Sequence, residues 1–148
     1  MRFSYDASIL FYSADRDAGR RYAMATDLVD RAMQADCILT LQSLAEFFHA
    51  VTRKGKRTPA DAAGFIADWR AVFPVHAADD ACLADAIDAV RQNRISFWDA
   101  MLWAVVRQAR CTLLLSEDMQ DGRRFGGLTI VNPFRPENAA LIDRILPP

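Results

Sequence analysis

Four acidic residues lie where the sequence could assemble a metal-binding site. They follow predicted strands or lie on predicted helices, at Asp6, Glu46, Asp99 and Asp118. Carboxylates that converge repel one another, so either some of them bind protons or a cation neutralises them. Mg²⁺ and Mn²⁺ prefer such oxygen ligands, and an ion of this kind activates water and stabilises negative charge on a phosphoryl group. A divalent metal site is therefore one hypothesis for these four residues.

Each of these acids also has an ordinary structural explanation. Asp6 can cap the turn that follows it, and Asp99 can pair with Ser96 in a capping box at the start of a helix. Glu46 belongs to a polar helical stripe and Asp118 to an acidic loop, so both can simply face solvent. The spacing of the acids leaves both interpretations open.

Other chemistries fit the sequence less well. His49 and His76 lack the spacing of a zinc site, and no glycine-rich phosphate loop or G-x-S-x-G motif occurs. Asp6 could act as a phosphorylated nucleophile because it ends a first strand. However, Ser8 stands where a haloacid-dehalogenase-like enzyme would carry a second acid.

The hydrophobic pattern predicts short strands that alternate with helices. The predicted strands are apolar on both faces, at residues 2–5, 37–40, 73–77, 111–115 and 128–131. This alternation favours an α/β fold, a three-layer α/β/α sandwich with a mainly parallel sheet of about five strands. The carboxyl ends of parallel strands share one edge of the sheet, where ligands bind in such folds, so we expect the four acids to converge there.

Capping and apolar patterns predict further details of the helices. We expect Asp80 to cap a helix over residues 81–92, with Leu83, Ala86, Ile87 and Val90 facing inward. The segment 122–127, which contains two adjacent glycines, is expected to be a loop.

Length and composition indicate one ordinary globular domain spanning residues 1–148. The chain has 148 residues, of which 52% are hydrophobic and 25% charged, and its formal net charge is −1. No overall basic field therefore indicates nucleic-acid binding, although local patches could provide it. Three cysteines without paired spacing fit buried thiols in a reducing compartment. We find no signal peptide and no apolar run long enough to cross a membrane, and we expect a cytoplasmic protein.

Two pairs of basic residues lie close to the acids in the sequence. Arg53 and Lys54 end the helix that carries Glu46, and Arg123 and Arg124 follow Asp118. The ordinary explanations are cations that favour a helix C-terminus and a solvated loop. If the acids cluster, these four side chains could hold an RNA backbone beside the metal.

Four motifs in order along nearly the whole chain resemble the PIN-domain family, in particular the VapC-type toxins of bacterial toxin–antitoxin pairs. The matching segments are YDASILFY with Asp6 and Ser8, LQSLAEFF with Glu46, ISFWDAMLWA with Asp99, and LLSEDMQDG followed by GLTIVNPF, with Ser116 and Asp118. The third of these segments is the most specific match.

The resemblance implies a metal-dependent endoribonuclease. It implies Mg²⁺ or Mn²⁺ bound by the four acids, a metal-activated water that cleaves RNA phosphodiesters, a homodimer, and a small antitoxin that covers the site. Asp121 competes with Asp118 for the fourth acidic position. The alternative is a catalytically silent PIN-like module that binds RNA or a partner protein.

Overall fold

A six-stranded, mainly parallel sheet forms the centre of the protein, in a computed structural model that describes residues 1–92 and 95–148. The strands are β1 (Phe3–Tyr5), β2 (Cys37–Thr40), β3 (Val75–His76), β4 (Leu113–Leu115), β5 (Arg124–Phe125) and β6 (Leu128–Val131). Their order across the sheet is β3-β2-β1-β4-β6-β5, with only β5 antiparallel to its neighbour.

Helices cover both faces of this sheet, which confirms the predicted α/β/α sandwich. They are α1 (Ala7–Ala14), α2 (Arg20–Ala32), α3 (Leu41–Arg53), α4 (Pro59–Val72), α5 (Asp80–Arg91), α6 (Phe97–Gln108), a 3₁₀ turn (Pro136–Asn138) and α7 (Ala139–Ile145). Successive strand residues point to opposite faces, so β4 sends Leu113 and Leu115 into one core and Leu114 into the other. The first core lies under α1–α4 and α7, and the second under α5 and α6.

The strand register places the residues that follow β1 and β4 side by side. β1 pairs in parallel with both β2 and β4, and Tyr5 lies opposite Leu115. The amide of Asp6 continues this ladder by donating to the carbonyl of Leu115 at 3.0 Å. Asp6 and Ser116 therefore leave the sheet at the same edge, as parallel pairing requires.

The sheet has six strands rather than about five, because part of the segment expected to be a loop forms β5. Gly126 and Gly127 have φ angles of +58° and +81° and connect β5 to β6 in a two-residue hairpin. A Cβ on Gly126 would approach Cζ2 of Trp103 to 2.7 Å, so this turn also needs glycine for space. The Trp103 indole stacks on the Phe125 ring, with 4.2 Å between the ring centres, and its N–H donates a hydrogen bond to the backbone carbonyl of Phe125.

Two expectations for α5 were wrong. Asp79, not Asp80, caps this helix, because its carboxylate accepts from the amide of Cys82 at 3.0 Å. Leu83 and Ile87 are exposed rather than buried. The buried stripe of α5 consists instead of small residues, Cys82, Ala86 and Ala89, which allow close packing against α6.

The helix that carries Asp99 begins as predicted but without the expected capping box. Ser96 occupies the N-cap position of α6, yet its side chain makes no capping hydrogen bond. Asp99 in the first turn is therefore not held by a reciprocal cap. Within residues 1–92 and 95–148, we find no helix long and apolar enough to cross a membrane.

Candidate active site

Asp6 is the buried centre of the candidate site. It follows β1, is 7% exposed, and caps α1 by accepting from the amide of Ser8 at 2.9 Å. The hydroxyl groups of Ser8 and Ser116 each donate to one of its two carboxylate oxygens. Asp6 thus both caps α1 and belongs to the candidate site.

Burial raises the pKa of Asp6 to about 6, although three hydrogen bonds oppose this shift. The donors from Ser116 and Ser8 lower the pKa because they stabilise the ionised form, and the nearby charge of Asp118 raises it. A cation close to Asp6 would therefore relieve an unfavourable concentration of negative charge.

Ser116 shapes the loop that follows β4. Its amide donates to the carbonyl of Val131 at 3.0 Å, which holds it to the neighbouring strand. Its hydroxyl oxygen accepts from the amides of Asp118 and Met119 at 3.2 and 3.1 Å while donating to Asp6. One buried serine thus fixes both the acid of β1 and the turn that presents Asp118.

Asp118 lies between several charges. Burial raises its pKa above the ordinary value, the neighbouring charges of Glu117 and Asp99 raise it further, and Lys54 lowers it. Asp118 also raises the pKa of Asp6, so the charge of α6 acts on the β4 loop and the charge of the β4 loop acts on the acid after β1. Three of the four predicted acids therefore lie near one another at the carboxyl edge of the sheet.

Glu46 is brought beside this group from α3. The start of α3 is fixed by Thr40, which caps the helix, and by the Ser43 hydroxyl, which donates to the carbonyl of Tyr5 at 3.2 Å. One turn further on, the exposed Glu46 carboxylate accepts from Nε2 of Gln42 at 2.8 Å. The same nitrogen donates to the carbonyl of Trp98 at 3.0 Å, which links Glu46 to the start of α6.

A cleft of about 270 Å³ opens between these elements, and we call it the acid cleft. Its wall is formed by Ala7, Ser8, Phe11, Tyr12, Glu46, Ala50, Lys54 and Asp118. The ammonium of Lys54 lies 4.9 Å from the centre of the Phe11 ring. The cleft therefore combines carboxylates with one positive charge.

The donor set fits a hard divalent cation in its chemistry, since it consists of carboxylate oxygens that repel one another. Among the residues that the structure describes, however, no three acidic, histidine or cysteine side chains stand close enough together to hold a metal ion as they are. The acids lie near one another but too far apart to share an ion, so binding an ion would require their carboxylates to move closer together.

Two nearby acids have other partners. The Asp121 carboxylate accepts from the amide of Asn132 at 2.8 Å and from the side chain of Asn138 at 2.9 Å, so it holds the segment after β6. Glu117 pairs with Nε of Arg21 at 2.8 Å. Of the two candidates for the fourth position, Asp118 is the one whose charge acts on Asp6 and on which the charge of Asp99 acts.

The four basic residues divide into two groups. Lys54 lies in the acid cleft, and Arg53 is exposed in the last turn of α3 beside it. Arg124 lies on β5 at the far edge of the sheet, opposite Thr129. Three strand spacings, about 14 Å, separate β5 from β1. The structure therefore brings Lys54 to the acids and leaves Arg123 and Arg124 on another part of the sheet.

The fold is that of the VapC toxins. No family model matches the sequence, and no curated protein matches it significantly. The structure is similar to VapC20 of Mycobacterium tuberculosis, a sarcin–ricin-loop-cleaving toxin, with a TM-score of 0.65, 17% identity, and coverage of 78% of this chain and 91% of that one. It is also similar to a toxin–antitoxin complex from Klebsiella pneumoniae, with a TM-score of 0.64, 16% identity, and coverage of 89% and 98%.

A third similar structure is VapBC-1 from nontypeable Haemophilus influenzae. Its TM-score is 0.62 at 11% identity, with coverage of 91% of this chain and 100% of that one. These likenesses confirm, at the level of fold, the resemblance to VapC-type toxins that the sequence motifs carry. A shared fold does not by itself assign an activity, which must be argued from the site.

Sequence reasoning missed two contributors to the site. Gln42 connects Glu46 to α6, and Ser43 ties α3 to the end of β1. Both lie one turn or less before Glu46 within the motif LQSLAEFF, so their proximity to an acid was the available signal. Their other partners, Trp98 and Tyr5, are distant in sequence, which is why these contacts could not be foreseen.

Proposed function

We propose that this chain is a metal-dependent endoribonuclease that acts as the toxin of a type II toxin–antitoxin pair. The observation that carries the proposal is the raised pKa of Asp6 and of Asp118 at the carboxyl edge of a sheet with the VapC-like fold, to which the charges of Asp118 and Asp99, respectively, contribute. Carboxylates whose pKa is raised by burial and by neighbouring charges in a cleft are a recurrent property of catalytic sites.

Asp6, Glu46, Asp99 and Asp118 would hold the ion, which is Mg²⁺ or Mn²⁺ according to the oxygen-only donor set. When bound, such an ion activates the attacking water and neutralises charge that develops on the scissile phosphate.

The remaining residues of the cleft would position the ligands and the substrate. Ser8 and Ser116 hold the Asp6 carboxylate in one orientation from its two sides. Lys54 supplies a positive charge beside Asp118, where it can bind a non-bridging phosphate oxygen. Gln42 keeps the Glu46 carboxylate near the start of α6.

We also propose the partners that this role requires, namely an RNA substrate, a small cognate antitoxin that covers the acid cleft, and a second copy of the chain. VapBC-1 from H. influenzae and the K. pneumoniae complex share this fold. Leu83 and Ile87 form an exposed apolar face on α5 that suits a homodimer contact. A toxin with this role would act in the cytoplasm.

The alternative is a catalytically silent PIN-like module that binds RNA or protein. Metal binding distinguishes it from the ribonuclease. Isothermal calorimetry with MnCl₂ should show binding to the wild-type protein and weaker binding to Asp6→Asn. RNA binding without any metal binding would support the silent module instead. A cleavage assay, described in the Discussion, then tests the activity itself.

A further inference from the structure

A second pocket, largely apolar, adjoins the acid cleft. Its volume is about 730 Å³, and it lies between the start of α3, residues 77–78 and the start of α6. The lining residues that matter here are Leu41, Gln42, Glu46, Trp98 and Met101. We call it the Trp98 pocket.

Trp98 is the conspicuous residue of this pocket because its large ring is left in water. It is 65% exposed, whereas the other two tryptophans, Trp69 and Trp103, are 4% and 5% exposed. The Phe97 ring packs edge-on against it, with 4.9 Å between the ring centres. An aromatic face held in this way is a surface on which another flat ring can stack.

The Trp98 pocket and the acid cleft share one wall. Glu46 lines both, and the Gln42 amide nitrogen donates both to Glu46 and to the backbone carbonyl of Trp98. Because both partners are acceptors, the orientation of the Gln42 amide is fixed. Within the described part of the chain its Oε1 accepts no hydrogen bond, so this residue of the pocket wall retains an available acceptor.

We infer that the Trp98 pocket binds an unpaired nucleobase of the RNA strand whose phosphate lies in the acid cleft. The base would stack on Trp98, and an amino group on its edge would donate to Gln42 Oε1. This inference rests on the proposed ribonuclease function and specifies how its substrate is held.

The chemistry of the pocket favours a base over other occupants. A nucleobase is flat and uncharged, so it can enter an apolar pocket beside carboxylates that would repel a phosphate. A base reaches the pocket together with the phosphate, because both belong to one strand.

Trp98 fluorescence gives a direct test, since the other two tryptophans are buried. The experiment titrates hexacytidylate and hexaadenylate RNA, with MgCl₂ present, into an Asp6→Asn background that prevents cleavage. The inactivating substitution is made at Asp6 rather than at Asp99, because Asp99 is the neighbour of Trp98 in the sequence and its replacement would disturb the fluorescent residue. We expect quenching of the emission, and we expect Trp98→Ala to weaken binding about 5- to 150-fold, the range for removal of a base-stacking aromatic.

Two matched variants make the result specific. Trp98→Phe keeps an aromatic face and should recover most of the affinity. Met33→Ala removes another exposed apolar side chain, which is 44% exposed. Met33 lies in the turn before β2, at the amino ends of the parallel strands, so this variant should bind RNA like the parent. Light scattering on each variant reports whether the oligomeric state has changed.

The outcomes separate this inference from the function on which it rests. RNA binding that is equally tight with alanine at position 98 overturns the base pocket and leaves the ribonuclease proposal standing. Trp98 emission that shifts with protein concentration alone, together with loss of a dimer in Trp98→Ala, also overturns it, because a second copy then covers the pocket. If the parent protein binds no RNA, both proposals fail.

Discussion

The hydroxyl group of Ser116 donates to the buried carboxylate of Asp6, although the two residues lie 110 positions apart in the sequence. The parallel pairing of β1 with β4 places them at the same edge of the sheet. Ser116 also accepts from the amide of Asp118, so the contact connects two acids of the site. The geometry of the acid cleft thus depends on one strand pairing and one side chain.

Replacing Ser116 by alanine should therefore weaken both the fold and the site. The change removes a donor from Asp6 and leaves the amides of Asp118 and Met119 without their acceptor, at a cost of about 1–3 kcal/mol. The pKa of Asp6 should rise above about 6, because a hydrogen bond that favours its ionised form is lost. Urea unfolding and RNA cleavage measure the two effects.

Ser13 provides the control for that prediction. It is also buried, but its hydroxyl donates to the carbonyl of Leu10 within the same helix. Ser13→Ala should be nearly neutral for stability and activity. Equal effects of the two substitutions would show that Ser116 has no special role.

Asp118 and Asp121 should respond oppositely to alanine substitution. Asp118→Ala should abolish cleavage with little loss of stability, because this acid repels its neighbours in the metal-free protein. Asp121→Ala should cost about 1–3 kcal/mol, because it removes the acceptor for Asn132 and Asn138, while activity is retained. Loss of activity in the Asp121 variant alone would reverse the assignment of the fourth acid.

Lys54 should matter for RNA cleavage and Arg124 should not. Lys54→Met removes the positive charge from the acid cleft and should lower kcat/KM about 10- to 100-fold, the effect of one lost charged hydrogen bond. Arg124→Met alters β5 at the far edge of the sheet and should change kcat/KM by less than about twofold. Similar losses in both variants would mean that the RNA spans the whole sheet edge.

The raised pKa of Asp6 predicts a pH-dependent stability of the metal-free protein. Burial raises this pKa to about 6 in the folded state, so the folded protein holds the proton more tightly than the unfolded chain. The resulting stability is present below about pH 4 and is lost as the pH rises through about 6. Asp6→Asn keeps the shape of the side chain and removes this loss.

Chemical denaturation in EDTA at several pH values measures that difference. The stability of Asp6→Asn relative to the wild type should increase from pH 4 to pH 7 by up to about 3 kcal/mol, the free energy of a shift of about two pKa units. Comparing the two proteins cancels the titration of the other acids. A difference that does not vary with pH would show that Asp6 is ionised without penalty.

The sequence predicted the elements that depend on local pattern. The apolar strands 37–40 and 128–131 were predicted at their observed limits, and Thr58 with Pro59 marked the start of α4. The four acids were placed at one edge by the single rule that parallel strands share their carboxyl ends. The fold agrees with this rule for Asp6 and Ser116, which follow β1 and β4 and lie at the same edge.

Long-range contacts explain what the sequence did not predict. β5 exists because two residues pair with β6 across a glycine hairpin, and its Phe125 stacks on Trp103 of a distant helix. The prediction for the buried face of α5 was right for Ala86 and wrong for Leu83 and Ile87, because close packing against α6 favours the small side chains of Cys82 and Ala89. Adjacent acids at 79 and 80 are equivalent in sequence, and only the backbone conformation selects Asp79 as the cap.

Cleavage of a mixed RNA pool by the purified protein tests the central claim most directly. The reactions contain Mn²⁺, Mg²⁺ or EDTA, and they compare the wild type with Asp99→Asn and with Asp61→Asn, a control that changes a first-turn acid of α4. We predict products only with a divalent ion, loss of cleavage in Asp99→Asn, and wild-type activity in Asp61→Asn. Unchanged cleavage by folded Asp99→Asn, or cleavage in EDTA, would contradict the proposed metal-dependent site.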